Sequence, residues 1–290
     1  MKTITTLFGC ALLLLAACDV KDPIYNTPHP GQGVVAGITE WTERTEGVAV
    51  PAEYRVEASG TAATAANTTT TATAAAFTLP GLFAPGAVEV LAYSLPAGVG
   101  VDGGIATVGT GADGTLLVPD AGVLFSGVAT AAVAGDDTAR VVVVMQQRMR
   151  LVRFTLTVTK GNAERITAIE AQLEGMAASA DLRTGAVTGG AAAVRIPFVR
   201  QGNKLTAEVW TVGTAAGAQQ QIVTTLTFTD GNHTTTTADV SDLFRGFNDD
   251  RLTPLTVTGS LYAPIGAEPD GSIIDWKPGN GDGEDVDAKI

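Results

Sequence analysis

Two histidines, two cysteines and a few adjacent carboxylates are the residues with which this chain could do acid–base, metal or thiol chemistry. His29 and His233 stand in separate segments. A general base needs an orienting partner and a structural metal site needs four ligands, so one histidine per segment points to neither. Asp136-Asp137 and Asp249-Asp250 are adjacent carboxylates. Neighbours on an extended backbone face opposite ways, so these pairs suit solvated turns better than a shared proton. The stretch from Gly279 to Asp287 has oxygen ligands but lacks the spacing of an EF-hand calcium loop. There is no G-x-S-x-G elbow, phosphate loop, H-E-x-x-H or C-x-x-C. We therefore expect no catalytic residue, no metal ligand, no cofactor and no enzyme.

The thiols lead elsewhere. Cys10 and Cys18 both fall in an N-terminal segment with Lys2 near its start and an apolar run from Leu7 to Ala17. That run is too short to span a bilayer, which takes roughly 20 apolar residues, but it has the parts of a secretory signal peptide. Leu15-Ala16-Ala17-Cys18 resembles a bacterial lipobox. Small residues precede the cysteine there because the peptidase must grip extended backbone closely. The motif implies a signal peptide over residues 1–17, diacylglyceryl on the Cys18 sulfur and acylation of the new amino group. Each buried methylene contributes about 0.8 kcal/mol, and several chains together anchor stably where one is marginal. The plainer alternative is an ordinary signal peptide cut after Ala17, with Cys18 a bystander. Either way no thiol is left downstream for a disulfide framework.

Losing residues 1–17, with Lys2 among them, moves the net charge from −12 to −13. An acidic chain without clustered Lys and Arg is not a phosphate-backbone binder, so nucleic acid is excluded as a partner. Thr and Val favour half-buried strands, frequent Gly marks turns, and no long apolar segment has a 3.6-residue period. The expected fold class is all-β.

Residues 18–32 carry three prolines (Pro23, Pro28 and Pro30) without apolar periodicity, and read as a lipidated tether. Strand-like runs follow at Val34 to Trp41, Ala52 to Ala58, Ala87 to Leu95, Leu124 to Val133 and Thr138 to Met145. The last holds VVVV, whose continuous apolarity predicts a strand buried on both faces. Ser59 to Ala76 is low-complexity and reads mostly as a mobile loop, with a Thr-rich β-edge as the alternative. A second set of strands begins at Met149 to Thr159, where Val152, Phe154, Leu156 and Val158 alternate with Arg153, Thr155 and Thr157. Ile166 to Leu173 alternates too and reads as strand rather than helix. Arg195 to Val199 and Leu205 to Val212 flank Gln201-Gly202-Asn203, and Ile222 to Thr229 and Thr234 to Val240 flank Asp230-Gly231-Asn232, as two hairpins. Pro254 to Tyr262 and Ser272 to Trp276 complete the set. Two tandem β-sandwiches are expected, over 33–146 and 147–278, with an acidic tail at 279–290.

The ordered segments CDVKDPIYNTPHPGQG, EWTERTEGVAVPAEYRV, LFAPGAVEVLAYSLPAGVGVDGGIATV, LFSG, MQQRMR, RITAIEAQLEGMA, FNDDRLTPLTVTG and IIDWKP resemble a Bacteroidales lipoprotein family. It is the family of fimbrial anchors and minor subunits related to fimbrillins, and the resemblance covers nearly the whole mature chain. It implies transthyretin-like, immunoglobulin-like sandwiches, lipid attachment at Cys18, and a structural place in fimbriae at the outer membrane. Asp19 and Asp22 loosely resemble the acidic export signal of surface lipoproteins. Other fimbrial subunits are the partners implied, joined by an extended segment adding to a sheet edge. In fimbrillins a trypsin-like protease cuts after an arginine and removes the first strand, which makes Arg44 a candidate processing site; an exposed loop arginine is the plainer reading. An anchor would keep that strand and offer its C-terminal segment, so Ile273, Ile274 and Trp276 are candidate subunit contacts, against the reading of a last core strand. Asp137-Thr138-Ala139 resembles the motif at which Bacteroidota attach O-glycans, making Thr138 a candidate. A surface glycan- or host-binding adhesin is the alternative function. Trp41, Trp210 and Trp276 are spread along the chain and form no evident aromatic platform for it.

Overall fold

A computed structural model describes residues 31–59, 68–73, 75–117, 122–264 and 271–279. The described chain is all-β apart from two short 3-10 turns, Ala163–Arg165 and Ser241–Phe244. The first half supplies β1 (Val34–Glu43), β2 (Tyr54–Ser59), β3 (Thr68–Ala72), β4 (Ala76–Thr78), β5 (Gly86–Tyr93), β6 (Val99–Asp102), β7 (Ile105–Val108), β8 (Phe125–Val133) and β9 (Thr138–Gln147). The second supplies β10 (Arg150–Gly161), β11 (Ile166–Asp181), β12 (Val187–Ile196), β13 (Val199–Gln201), β14 (Lys204–Thr211), β15 (Gln221–Phe228), β16 (His233–Asp239), β17 (Leu255–Ala263) and β18 (Ser272–Pro278).

Three sheets result. Seven strands run in the order β3-β2-β5-β8-β9-β1-β4, five in the order β13-β14-β10-β17-β18, and six in the order β16-β15-β11-β7-β6, with β12 also paired to β11. Two pairings are parallel, β1 with β9 and β10 with β17. Sheets with one covered face bury every second residue, and β14 and β15 do so along their whole length, β10 from Val152 to Val158. One apolar cluster runs from Val35, Phe83, Phe125 and Met145 through Met149 to Phe154, Leu173 and Val209, so the core is continuous across the β9–β10 connection. A smaller cluster gathers Leu156, Leu205, Phe228 and Leu261. Full burial of each such side chain stabilises by about 1.5–3 kcal/mol.

The all-β class and its sandwich layering are as expected, and most of the expected strands are present. Three expectations change. The VVVV run is covered on one face only: Val141 and Val143 are buried, while Val142 is 49% and Val144 39% exposed. β9 lies between β1 and β8 where the outer face of the sheet is exposed, with Ile38 of β1 opposite Val142, so its alternation comes from sheet position although its composition does not alternate. Part of the expected loop between Ser59 and Ala76 is strand: Thr68–Ala72 pairs with β2 and forms the sheet's edge, the Thr-rich alternative. The β6–β7 hairpin, numbered within the expected first sandwich, pairs through Ile105–Thr107 with the far end of β11.

Candidate functional site

The joint between the two halves is built from Gln147, Arg148, Arg150 and Arg251, which are brought together by the end of β9, the start of β10 and the loop before β17. Gln147 and Arg148 are buried. The Gln147 amide donates to the carbonyls of Met149 and Arg251, both at 2.7 Å, and to the Thr45 hydroxyl at 3.0 Å. Arg148 Nε donates to Ser126 Oγ at 2.6 Å, and Ser126 Oγ donates to the Leu182 carbonyl. Arg251 spans furthest. Its guanidinium donates to the carbonyls of Arg148 (2.6 Å), Gly185 (3.1 Å) and Val212, three separate segments of chain. Arg150 donates to the Thr253 and Phe247 carbonyls, stacks 4.8 Å from the Phe247 ring centroid and faces Asp250 at 3.9 Å.

Burial pushes all three guanidinium groups down. Arg148 falls to about 10, through desolvation first and then the nearby Arg251 charge, with Asp181 opposing. Arg251 and Arg150 are also lowered by burial. All remain cations near neutral pH, held mainly by main-chain oxygens. Gly185 belongs to this arrangement: it sits at φ +75°, and a Cβ there would lie 2.3 Å from Arg148 Nη1.

Arg44 follows the first strand and is exposed. Its guanidinium folds back on the Trp41 and Val48 carbonyls. The next residue is tied to the joint: Thr45 N donates to Gln147 Oε1 at 3.0 Å and Thr45 Oγ1 to the Leu252 carbonyl at 2.7 Å. β1 itself lies between β9 and β4, with Trp41 edge-on to Tyr54 and Phe125 at 5.7 and 5.4 Å.

At the other end of the chain, β18 is an edge strand, antiparallel to β17. Trp276 stands opposite Gly259, where a Cβ would meet Leu156 Cδ2 at 2.7 Å and Trp276 Cε3 at 3.0 Å, so the indole lies over a residue that must lack a side chain. It packs edge-on to Phe154 at 6.3 Å, with its Nε1 buried and, among the described residues, without a hydrogen-bond partner. Ile273 packs on the smaller apolar cluster, and Ile274 sits at the register shift between Leu261↔Ile273 and Ser260↔Asp275. Ile273 and Trp276 therefore both face apolar core, and among the described residues β18 leaves its outer backbone edge unpaired.

Sequence comparison with protein-family models matches residues 113–274 to the fimbrillin-A associated anchor proteins Mfa1 and Mfa2. The chain belongs to this family. The match takes in the joint, Thr138, Gly259 and Ile273, and leaves Arg44 and Trp276 outside its bounds. No curated protein sequence matches the chain. Among solved structures, it is similar to the fimbrial anchor protein Mfa2 from Porphyromonas gingivalis, at 11% identity and TM-score 0.55 over 84% of this chain and 96% of that one. It is also similar to two candidate adhesins from Bacteroides ovatus. One matches at 12% identity and TM-score 0.58 over 80% of this chain and 90% of that one. The other matches at 10% identity and TM-score 0.57 over 86% and 96%. These likenesses are of fold.

Within this anchor-family chain the remaining candidates are scattered. Thr138 is half-buried at the start of β9, paired with Val34, its amide donating to Asp137 Oδ1 at 2.7 Å. Leu15, Ala16, Ala17, Cys18 and His29 lie outside the described residues. A shallow cleft of about 230 Å³ gathers Asp113, Thr115, Glu170, Gln172, Arg195 and Thr225, with the Thr115 hydroxyl donating to Asp113 Oδ1 at 2.8 Å. Among the described residues no three His, Cys, Asp or Glu side chains come together to hold a metal. In the sequence the joint shows only as the expected boundary between residues 146 and 147. The available signal was the pair of arginine-bearing segments, MQQRMR and FNDDR, which meet there.

Proposed function

We propose that this protein is a lipid-anchored cell-surface subunit, an anchor or minor component of fimbriae, fixed to the outer membrane through acyl chains on Cys18 and joined to partner subunits by β-strand addition. Membership of the fimbrillin-A associated anchor family, matched over residues 113–274, is the observation that carries the reading. Strand addition draws on main-chain donors and acceptors that an edge strand leaves free, while alternate side chains supply specificity. β18 offers such an edge, and Ile273, Ile274 and Trp276 belong to the strand through which a partner would engage. Residues 18–32 serve as tether, 33–146 and 147–278 as the two sandwiches, and 279–290 as an acidic tail.

The first strand is retained in this reading. A protease acting at Arg44 would have to draw the Arg44–Thr45 bond out as extended chain, against the bonds from Arg44 to Trp41 and Val48 and from Thr45 to Gln147 and Leu252. Thr138 is carried as the O-glycan acceptor. The proposal is tested by deleting the gene and purifying fimbriae. Fimbriae should be shed or altered in length, and the wild-type protein should copurify with them from outer-membrane extracts. Unchanged, retained fimbriae together with no copurification would refute it.

A further inference from the structure

The described chain begins at Gly31 at one end of the seven-stranded sheet, and this end is pinned by hydrogen bonds. Gly33 exchanges both backbone bonds with Phe83, at 2.8 Å each; Asp136 N donates to the Gln32 carbonyl at 3.0 Å and Val34 N to the Asp137 carbonyl at 2.9 Å. Two loops therefore flank the point where the tether arrives, 79–86 and 134–137. Their surface is apolar and small. Leu82 is 40% exposed at the tip of Pro80-Gly81-Leu82, with Pro85, Ala87, Ala132 and Ala134 also exposed around it. Asp136 and Asp137 are the only charged residues in these two loops. The far end of the second half is different in kind. The turns after β10, β13 and β15, with the strand ends that flank them, carry Lys160, Glu164, Arg200, Lys204 and Asp230.

We propose that this loop end, with Leu82 at its tip, is a membrane-contacting surface that rests on the lipid bilayer beside the anchor. The occupant follows from where the chain outside the described fold arrives. Twelve residues separate Cys18 from Gly31, a reach of at most about 45 Å, and they deliver the chain to this end rather than to the charged one. An exposed leucine flanked by prolines and alanines, without basic groups, suits shallow apolar insertion rather than attraction to anionic headgroups. Asp136 and Asp137 limit the depth by staying in the headgroup layer. The two loops then set the orientation of the subunit, with its charged turns directed away from the membrane. This inference rests on lipidation at Cys18.

The test uses the full lipidated protein in phosphatidylethanolamine–phosphatidylglycerol vesicles doped with a headgroup-nitroxide lipid. With Cys18 acylated no other thiol remains after signal-peptide removal, so Ala87→Cys and, as a distant control, Val199→Cys each accept one fluorophore. Val199 is 60% exposed on β13. The label at position 87 should be quenched several-fold more than the label at 199, and adding Leu82→Asp should remove most of that difference. Vesicle-bound, acylated protein with equal quenching at both positions would overturn the membrane contact while leaving the anchor reading intact. Absence of acyl chains by mass spectrometry, with no flotation alongside vesicles, would overturn both.

Discussion

Replacing Arg251 by methionine keeps most of the apolar stem and removes the guanidinium that ties three carbonyls together. Hydrogen bonds from a charged group contribute about 1.5–3 kcal/mol each, so three of them set an upper bound of about 9 kcal/mol. Two effects reduce it. Arg251 is desolvated beside Arg148 and Arg150, and removing one of three clustered cations relieves repulsion. A buried carbonyl also tolerates under-satisfaction better than a buried N–H. We expect a loss of about 3–4 kcal/mol, a large fraction of the roughly 5–15 kcal/mol of a whole domain.

Equilibrium urea unfolding followed by tryptophan fluorescence measures this loss, and calorimetry should show the melting temperature falling by roughly 6–15 °C. Arg251→Lys should fall between, since an ammonium can reach one or two of the carbonyls but not all three in the fork geometry. Arg245→Met is the control: that arginine pairs with Asp242 on the surface, both largely exposed, and its loss should stay within about 0.5 kcal/mol. A cost below about 1 kcal/mol for Arg251→Met would show that the three carbonyl bonds do not hold the joint.

Gly259→Val should expel the Trp276 indole, costing about 1–3 kcal/mol through overpacking; acrylamide quenching in a Trp41→Phe, Trp210→Phe background reads the exposure directly, and an unchanged quenching constant would refute it. Tyr93 is pushed up from 10.0 to about 12, by burial first and then by its bond to Glu57. The unfolded phenol ionises before the folded one, so the stability it contributes is complete below pH 10 and drains away between pH 10 and 12. The total is about 2–3 kcal/mol, and Tyr93→Phe should flatten that alkaline limb in urea melts. Gln147→Ala should speed cleavage after Arg44 by an arginine-specific protease several-fold, seen as release of the first strand by mass spectrometry; equal rates would mean that the Thr45–Gln147 bonds do not guard the site.

Where alternation and turn chemistry coincide, the fold was legible in the sequence. β14 and β15 alternate in burial residue by residue, as does β10 from Val152 to Val158, and Gly202 and Gly231 sit at positive φ in the two hairpin turns expected of them. β12 was largely missed because VTGGAAAV has side chains too small to write a pattern. The β6–β7 hairpin could not be assigned from local sequence, because its partner, β11, lies far along the chain. VVVV misled for a related reason: composition reports what a strand tolerates, whereas burial depends on which layer lies above it. The joint was not legible. Its arginines lie in MQQRMR and FNDDR, but their partners are main-chain carbonyls, which every residue carries and which leave no trace in a sequence.

The segment FNDDRLTPLTVTG links these features mechanically. Its Arg251 ties the joint, and its Gly259 seats Trp276 of the last strand, with β17 between them. Under the proposed function a partner would pull on β18, which is bonded to β17; β17 is parallel to β10, and β10 begins at the joint. On the other side β9 ends at the joint and is parallel to β1, the strand that receives the tether. Load would pass along paired strands whose hydrogen bonds are sheared together instead of being peeled one at a time. The β9–β10 connection is the point where one strand pair hands over to the other, and there the carbonyls of Arg148, Gly185 and Val212 converge on one guanidinium. A cation bound to main-chain oxygens suits that position. It joins three segments through groups that mutation of their side chains cannot remove.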